Sequence, residues 1–119
     1  DIFWENPGME KLLVRIKRHY PLYLISNTNA LHFTHIKREF KLLRHFKKMF
    51  PSHEMGASKP DPRIYRLVLK KIGLKPEETV FIDDMKSFVQ GARGTGMRAI
   101  RFRGLKPLTH SLQKLGIRF

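Results

Sequence analysis

Two aspartates in succession, Asp83 and Asp84, stand directly behind a short apolar run at 79–82. Adjacent carboxylates repel, so two ionised aspartates at the end of a strand are costly unless a cation neutralises them. The cation that suits hard oxygen ligands and leaves room for a phosphate is Mg²⁺. The pair therefore points to metal-assisted phosphate chemistry. Its bland reading is a solvated acidic loop, and the choice between the two rests on what the rest of the chain supplies.

Two further segments supply matching groups. Ser26 and Asn27 follow the wholly apolar run 22–25 and precede a helical pattern. A hydroxyl and backbone N–H groups near a helix start suit a phosphate, although Ser-Asn after a strand also serves as a plain cap. Lys59 lies in the segment Gly-Ala-Ser-Lys-Pro-Asp-Pro at 56–62, where the following proline stiffens the backbone and offers a fixed cation. His32 and His35 are three apart on one helical pattern, but the chain supplies no cysteine or nearby acid to complete a zinc site, so a solvated face is the better reading.

The elements that must position these residues alternate between helix and strand. Met9, Leu12, Leu13 and Ile16 mark the inner face of a first helix starting near Pro7-Gly8 and ended by Pro21. Run 22–25 has the signature of a strand buried on both faces. A helix is expected over 30–40, with a turn or short helix to Phe46, a weakly signalled strand at 48–50 and a loop over 54–59. Asp61-Pro62 starts the next helix, with Ile64, Leu67, Val68 and Ile72 as its apolar face and Gly73 as its stop. Strand 79–82, a helix over 87–93, a strand over 98–102 and an amphipathic helix over 105–116 complete the pattern. Such alternation predicts an α/β class with a mainly parallel sheet, whose ligands bind beyond the carboxyl ends of the strands. Ser26 and the aspartate pair lie at two such ends.

With 119 residues the chain has the size of one small domain. It lacks cysteine, which excludes disulfides and thiolate metal sites and fits a cytoplasmic protein. No apolar run is long enough for a membrane span, no secretory signal is visible, and no membrane partner is expected. The chain begins with Asp and reads as a piece of something longer. The net charge of +14 is the one compositional extreme, and it attracts anions of every kind. Its densest patch is Lys37, Arg38, Lys41, Arg44, Lys47 and Lys48, interleaved with phenylalanines. Phe33, Ile36, Phe40 and Leu43, spaced 3, 4, 3, read as a core-facing helix stripe with the lysines in water, so no specific nucleic-acid partner is expected.

In this order and with these flanks, the segments resemble the haloacid dehalogenase (HAD) superfamily. The apolar strand with Ser26-Asn27 is similar to its second motif. The segment 59–65 is similar to its third, in the form used by the subfamily with a small helical cap. Val80 to Asp84, followed by Gly91-Ala92-Arg93 and Gly96-Met97, resembles its fourth. Pro7-Gly8-Met9 resembles the point where such chains re-enter the core from the cap.

The resemblance implies a Rossmann-like three-layer sandwich, incomplete, with 1–119 as a single partial core domain carrying the second to fourth motifs. It implies that Ser26 binds a phosphoryl oxygen with Asn27 supporting through its backbone. Lys59 would neutralise phosphoryl charge and orient the nucleophile, and Asp83 and Asp84 would hold Mg²⁺. The expected function is a Mg²⁺-dependent phosphatase working through an aspartyl-phosphate on a small phosphorylated metabolite. The Asp-Asp pair favours this over a dehalogenase relative; a non-catalytic phosphate or nucleic-acid binder is the alternative from another class.

Two departures from the pattern follow. The family's nucleophile, in an Asp-x-Asp motif on the first strand, has no match here, and the cap is missing as well; both are expected on N-terminal sequence ahead of this chain. Ser87 stands where relatives carry Asn or Asp, which weakens a contact supporting the metal loop. The absent first strand would separate strands 22–25 and 79–82 in the family's sheet. Those strands should therefore either keep a slot between them or close up and pair.

Overall fold

A computed structural model describes residues 6–29, 31, 34 and 41–119. Helix α1 (Met9–Lys17) buries Met9, Leu12, Leu13 and Ile16, the face set by their 3.6-residue periodicity. Strand β1 (Tyr23–Ser26) follows. A 3₁₀ helix at Lys41–His45, with Leu43 buried, leads into β2 (Lys48–Pro51). The helix expected over 30–40 lies, apart from Leu31 and Thr34, outside the described residues, as do His32, His35, Lys37 and Arg38.

The stretch after β2 differs from the expected loop. It begins with one helical turn, α2 (Ser52–Met55), closed by Gly56 at φ +70°, a left-handed conformation that suits glycine. Helix α3 (Pro62–Ile72) starts where expected: the Asp61 side chain accepts a hydrogen bond from the Arg63 N–H, Pro62 fills the first turn, and Gly73 closes the helix at φ +73°. Its buried face is turned only in part: Ile64, Val68 and the half-buried Ile72 pack inward as expected, and Tyr65 and Leu69 join them. Ile64, Tyr65, Val68 and Leu69 are buried, whereas Leu67 is 36% exposed. The reason is Tyr65, whose ring sits edge-on to Phe81 and whose hydroxyl donates to the Phe88 carbonyl. One large side chain with a buried hydrogen bond outweighs the periodicity of the aliphatic residues.

Strand β3 (Val80–Asp83), helix α4 (Lys86–Gly94), strand β4 (Arg98–Arg101) and helix α5 (Leu105–Lys114) complete the order. β1 pairs in parallel with β2, Tyr23 opposite Lys48 and Ser26 opposite Pro51. β3 pairs in parallel with β4, Val80 opposite Arg98 and Asp83 opposite Arg101. Among the described residues no ladder joins the two pairs, so β1 and β3 have not closed up. β1 was expected to be buried on both faces, yet all four of its residues are only half-buried. Within the described residues it has a hydrogen-bonded neighbour on one edge only, which leaves its other edge uncovered.

The layers follow from side-chain alternation along β3. Phe81 packs with Phe50, Ile64, Tyr65, Val68, Leu69, Val89, Ala92 and Met97, the α3 and α4 side. Val80 and Ile82 pack against Met9, Leu12, Leu13, Ile16, Phe102, Leu108 and Leu112, the α1 and α5 side. The result is the α/β sandwich with helices on both faces of parallel strands, its sheet divided into two ladders. No described helix is long and apolar enough to cross a membrane.

The turned face of α3 is testable by urea unfolding. Leu69→Ala should destabilise the fold by about 2–5 kcal/mol, whereas Leu67→Gln should stay within about 1 kcal/mol. Equal losses at both positions would contradict the observed orientation.

Candidate active site

Lys59 and Asp83 meet. The Lys59 Nζ lies 2.8 Å from Asp83 Oδ2, with the two side chains only 9% and 12% exposed. The ammonium also faces the Phe88 ring at 4.9 Å and the Phe81 ring at 5.8 Å from their centroids. Aromatic walls reduce solvation of the charge and strengthen its attraction to the carboxylate.

The backbone that carries Lys59 is held from three sides. Asn27, the residue after β1, spans to it twice: its Nδ2 donates to the Lys59 carbonyl and its Oδ1 accepts from the Lys59 N–H, both at 2.8 Å. Sequence reasoning gave Asn27 a backbone role; its side chain is the clamp between the end of β1 and the lysine loop. Asp61 caps α3 two residues further on. Gly91 of α4 supplies the third side. A Cβ there would lie 2.9 Å from the Pro60 carbonyl oxygen and 3.0 Å from the Tyr65 hydroxyl. Only a residue without a side chain lets α4 approach the loop this closely. Gly91 belongs to a quoted motif, but sequence alone attached no reason to it, because its neighbours come from α3 and the loop.

Ser26 ends β1 immediately before the clamp, half-buried, and its hydroxyl has no hydrogen bond among the described residues. The path Ser26–Asn27–Lys59–Asp83 brings three of the sequence motifs to one end of the strands. Beside it opens a polar cleft of about 540 Å³ lined by Asn27, Thr28, Ser52, His53, Gly56 and Ser58, among others. Thr28 is 7% exposed, and its Oγ1 has no partner among the described residues. Its carbonyl is occupied, accepting from Ser52 Oγ at 3.1 Å and from the His53 N–H.

Asp83 uses its second oxygen to accept the Met85 N–H at 3.0 Å, which fixes the turn into α4. Asp84 follows, exposed, with its carbonyl held by Arg101 Nε at 3.2 Å. The Asp84 carboxyl is held above the ordinary carboxylate range, first by partial burial, then by a hydrogen bond with Asp83 and by Asp83's charge, with Lys59 pulling the other way. Two acids in this relation are relieved by a cation, and hard oxygen donors fit Mg²⁺, which keeps several waters and takes one or two carboxylates. Among the described residues no cluster of three or more metal-binding side chains includes them.

A family model for haloacid dehalogenase-like hydrolases matches residues 3–102. The chain belongs to that family. Among curated relatives it is 32% identical over 101 residues to a phosphorylated carbohydrates phosphatase of Thermotoga maritima, covering 84% of this chain and 47% of that protein. It is 34% identical over 106 residues to a glyceraldehyde 3-phosphate phosphatase of Pyrococcus furiosus, covering 83% and 42%. Among solved structures it resembles a HAD family enzyme of Bacteroides thetaiotaomicron in complex with magnesium and inorganic phosphate. There the TM-score is 0.70 and the identity 33%, over 76% of this chain and 49% of that one. The chain thus spans just under half the length of these relatives.

Two expectations follow from the geometry. Gly91→Ala should cost about 1–3 kcal/mol in urea unfolding, through overpacking against backbone that cannot swing away, and should shift the Lys59 amide resonance. An unshifted Lys59 amide would show that α4 does not hold the loop. The second concerns Tyr65, whose phenol is pushed up to about 12, by burial first and then by the Asp83 charge. Because the folded state keeps this proton longer than the unfolded state, its contribution to stability is complete below pH ~10 and is lost as pH rises toward the folded value. Ultraviolet titration should show one phenol ionising near that pH, absent in Tyr65→Phe. A titration unchanged by Tyr65→Phe would contradict the burial of this hydroxyl.

Proposed function

We propose that this chain is the partial core, residues 1–119 as one unit, of a phosphatase that hydrolyses small phosphorylated metabolites. The observation that carries the reading is the Lys59–Asp83 pair, clamped by Asn27 beside Ser26 and followed by Asp84. Phosphoryl transfer needs positioned positive charge more than covalent machinery, and this arrangement supplies such charge. The phosphatase activities named for the relatives from Thermotoga maritima and Pyrococcus furiosus support the same chemistry.

In this reading Ser26 donates its hydroxyl to a phosphoryl oxygen, and the Asn27 N–H supports it. Asn27's side chain keeps Lys59 in register, and the ammonium neutralises charge on the phosphoryl group. Asp83 orients the ammonium, and with Asp84 it would hold Mg²⁺. When bound, that ion would neutralise phosphoryl oxygens and help align the ester. The polar cleft at Thr28 and His53 receives the hydroxylated remainder of the substrate. The nucleophilic aspartate and the cap belong to sequence beyond Asp1, and the location is cytoplasmic. The paired acids favour phosphate esters over halogenated acids, since a dehalogenation needs no such cation.

Activity of the full-length protein against a panel of phosphate monoesters tests this. Turnover should require Mg²⁺, fall by about 10²–10³-fold in Lys59→Met, and disappear in Asp84→Asn, while the isolated 119 residues stay inactive. Turnover indifferent to Mg²⁺ and to Lys59 would sink the assignment.

A further inference from the structure

Among the described residues, four of the cations behind the charge of +14 gather in one cleft. Between α4 and the end of β4 lies a cleft of about 280 Å³ lined by Lys86, Val89, Gln90, Arg93, Arg101 and Arg103. Four of the six carry a positive charge and none a negative one. Val89 is buried beneath them. Two of the guanidinium groups are anchored without being neutralised: Arg101 Nε donates to the Asp84 carbonyl at 3.2 Å, and Arg93 Nη2 to the Ala99 carbonyl at 2.9 Å. Among the described residues none of the four cations forms an ion pair with a carboxylate. Lys86 opens α4, so the amino end of that helix adds to the same positive field.

Like charges gathered in a concave place repel one another, and a counter-ion carrying several negative charges relieves all of them together. We propose that this cleft, which adjoins the Asp83–Asp84 turn through Arg101, binds a di- or triphosphate group carried by a small ligand. Guanidinium groups match phosphate oxygens in pairs, and three of them with one ammonium suit more than one phosphate. Gln90 adds a neutral amide at the rim. The cleft's volume of about 280 Å³ suits a compact polyphosphate better than a nucleic acid, whose backbone tracks along a longer groove.

Isothermal titration of the full-length protein with tripolyphosphate, at physiological ionic strength and without Mg²⁺, tests the proposal. One molecule should bind per chain, and an equal concentration of orthophosphate should not displace it. The double variant Lys86→Gln/Arg103→Gln, both exposed positions, should weaken binding by about tenfold or more through loss of charge-assisted contacts. Arg66→Gln/Lys70→Gln removes the same charge from the exposed face of α3 and should change affinity less than about twofold, since exposed charges far from a ligand are screened. Circular dichroism confirms that both variants fold, and Arg103→Lys should retain part of the affinity. Equal weakening in the two double variants would overturn the proposal in favour of a diffuse field. So would no binding at all, or a single-stranded oligonucleotide that binds more tightly than tripolyphosphate and is lost with Lys86 and Arg103.

Discussion

The structure depends on one ion pair, Lys59 with Asp83, and on the need to keep it from water without leaving either charge alone. Both side chains are almost wholly buried. Removing one partner from such a pair costs about 3–5 kcal/mol, because the other charge is then stranded in a poor solvent. The arrangement around the pair follows from that constraint. Phe81 and Phe88 wall the ammonium, Met85's N–H takes the second oxygen of Asp83, and Asn27 fixes the lysine's main chain. A pair this well positioned is costly to disturb.

The pair joins parts of the chain that the sheet does not. β1 with β2 and β3 with β4 form separate parallel ladders among the described residues. Asn27 belongs to the end of the first ladder and Asp83 to the second; Lys59, in the loop before α3, touches both. Packing carries the same connection underneath. Tyr65 reaches from α3 to the Phe88 carbonyl on α4, and Gly91 admits the Pro60 carbonyl against the same helix. Hydrophobic burial by Ile64, Val68, Val89 and Ala92 gives the bulk of the cohesion there, while the polar contacts define which arrangement is adopted.

A second polar group lies between α1 and the 3₁₀ helix. His45, its side chain nearly buried, bridges Lys17 and Glu10, and Arg44 also pairs with Glu10. Glu10 is held below the ordinary carboxylate range, first by its hydrogen bond with His45, which outweighs the opposing effect of burial, and then by the charges of Arg44, His45 and Lys41. Here one acid answers several of the chain's many cations. The cleft lined by Lys86, Arg93, Arg101 and Arg103 has no such acid, which is why the excess charge has a location as well as a total.

Sequence by itself determined the described strands, the helices at 9–17, 62–72, 86–94 and 105–114, the parallel class, and the cap at Asp61 with the stop at Gly73, but not the helical turn at Ser52–Met55. These are local matters: periodicity, turn chemistry and the repulsion of two adjacent aspartates are all written over a few residues. The tertiary structure alone decided the rest. It turned α3 so that Tyr65 and Leu69 face inward instead of Leu67, because a hydrogen-bonded phenol must reach the Phe88 carbonyl. It gave Asn27's side chain to Lys59, left Thr28's hydroxyl without a partner among the described residues, and gathered four cations from α4 and the end of β4 into one cleft. Each depends on groups distant in the chain, and no local pattern encodes which of them will meet.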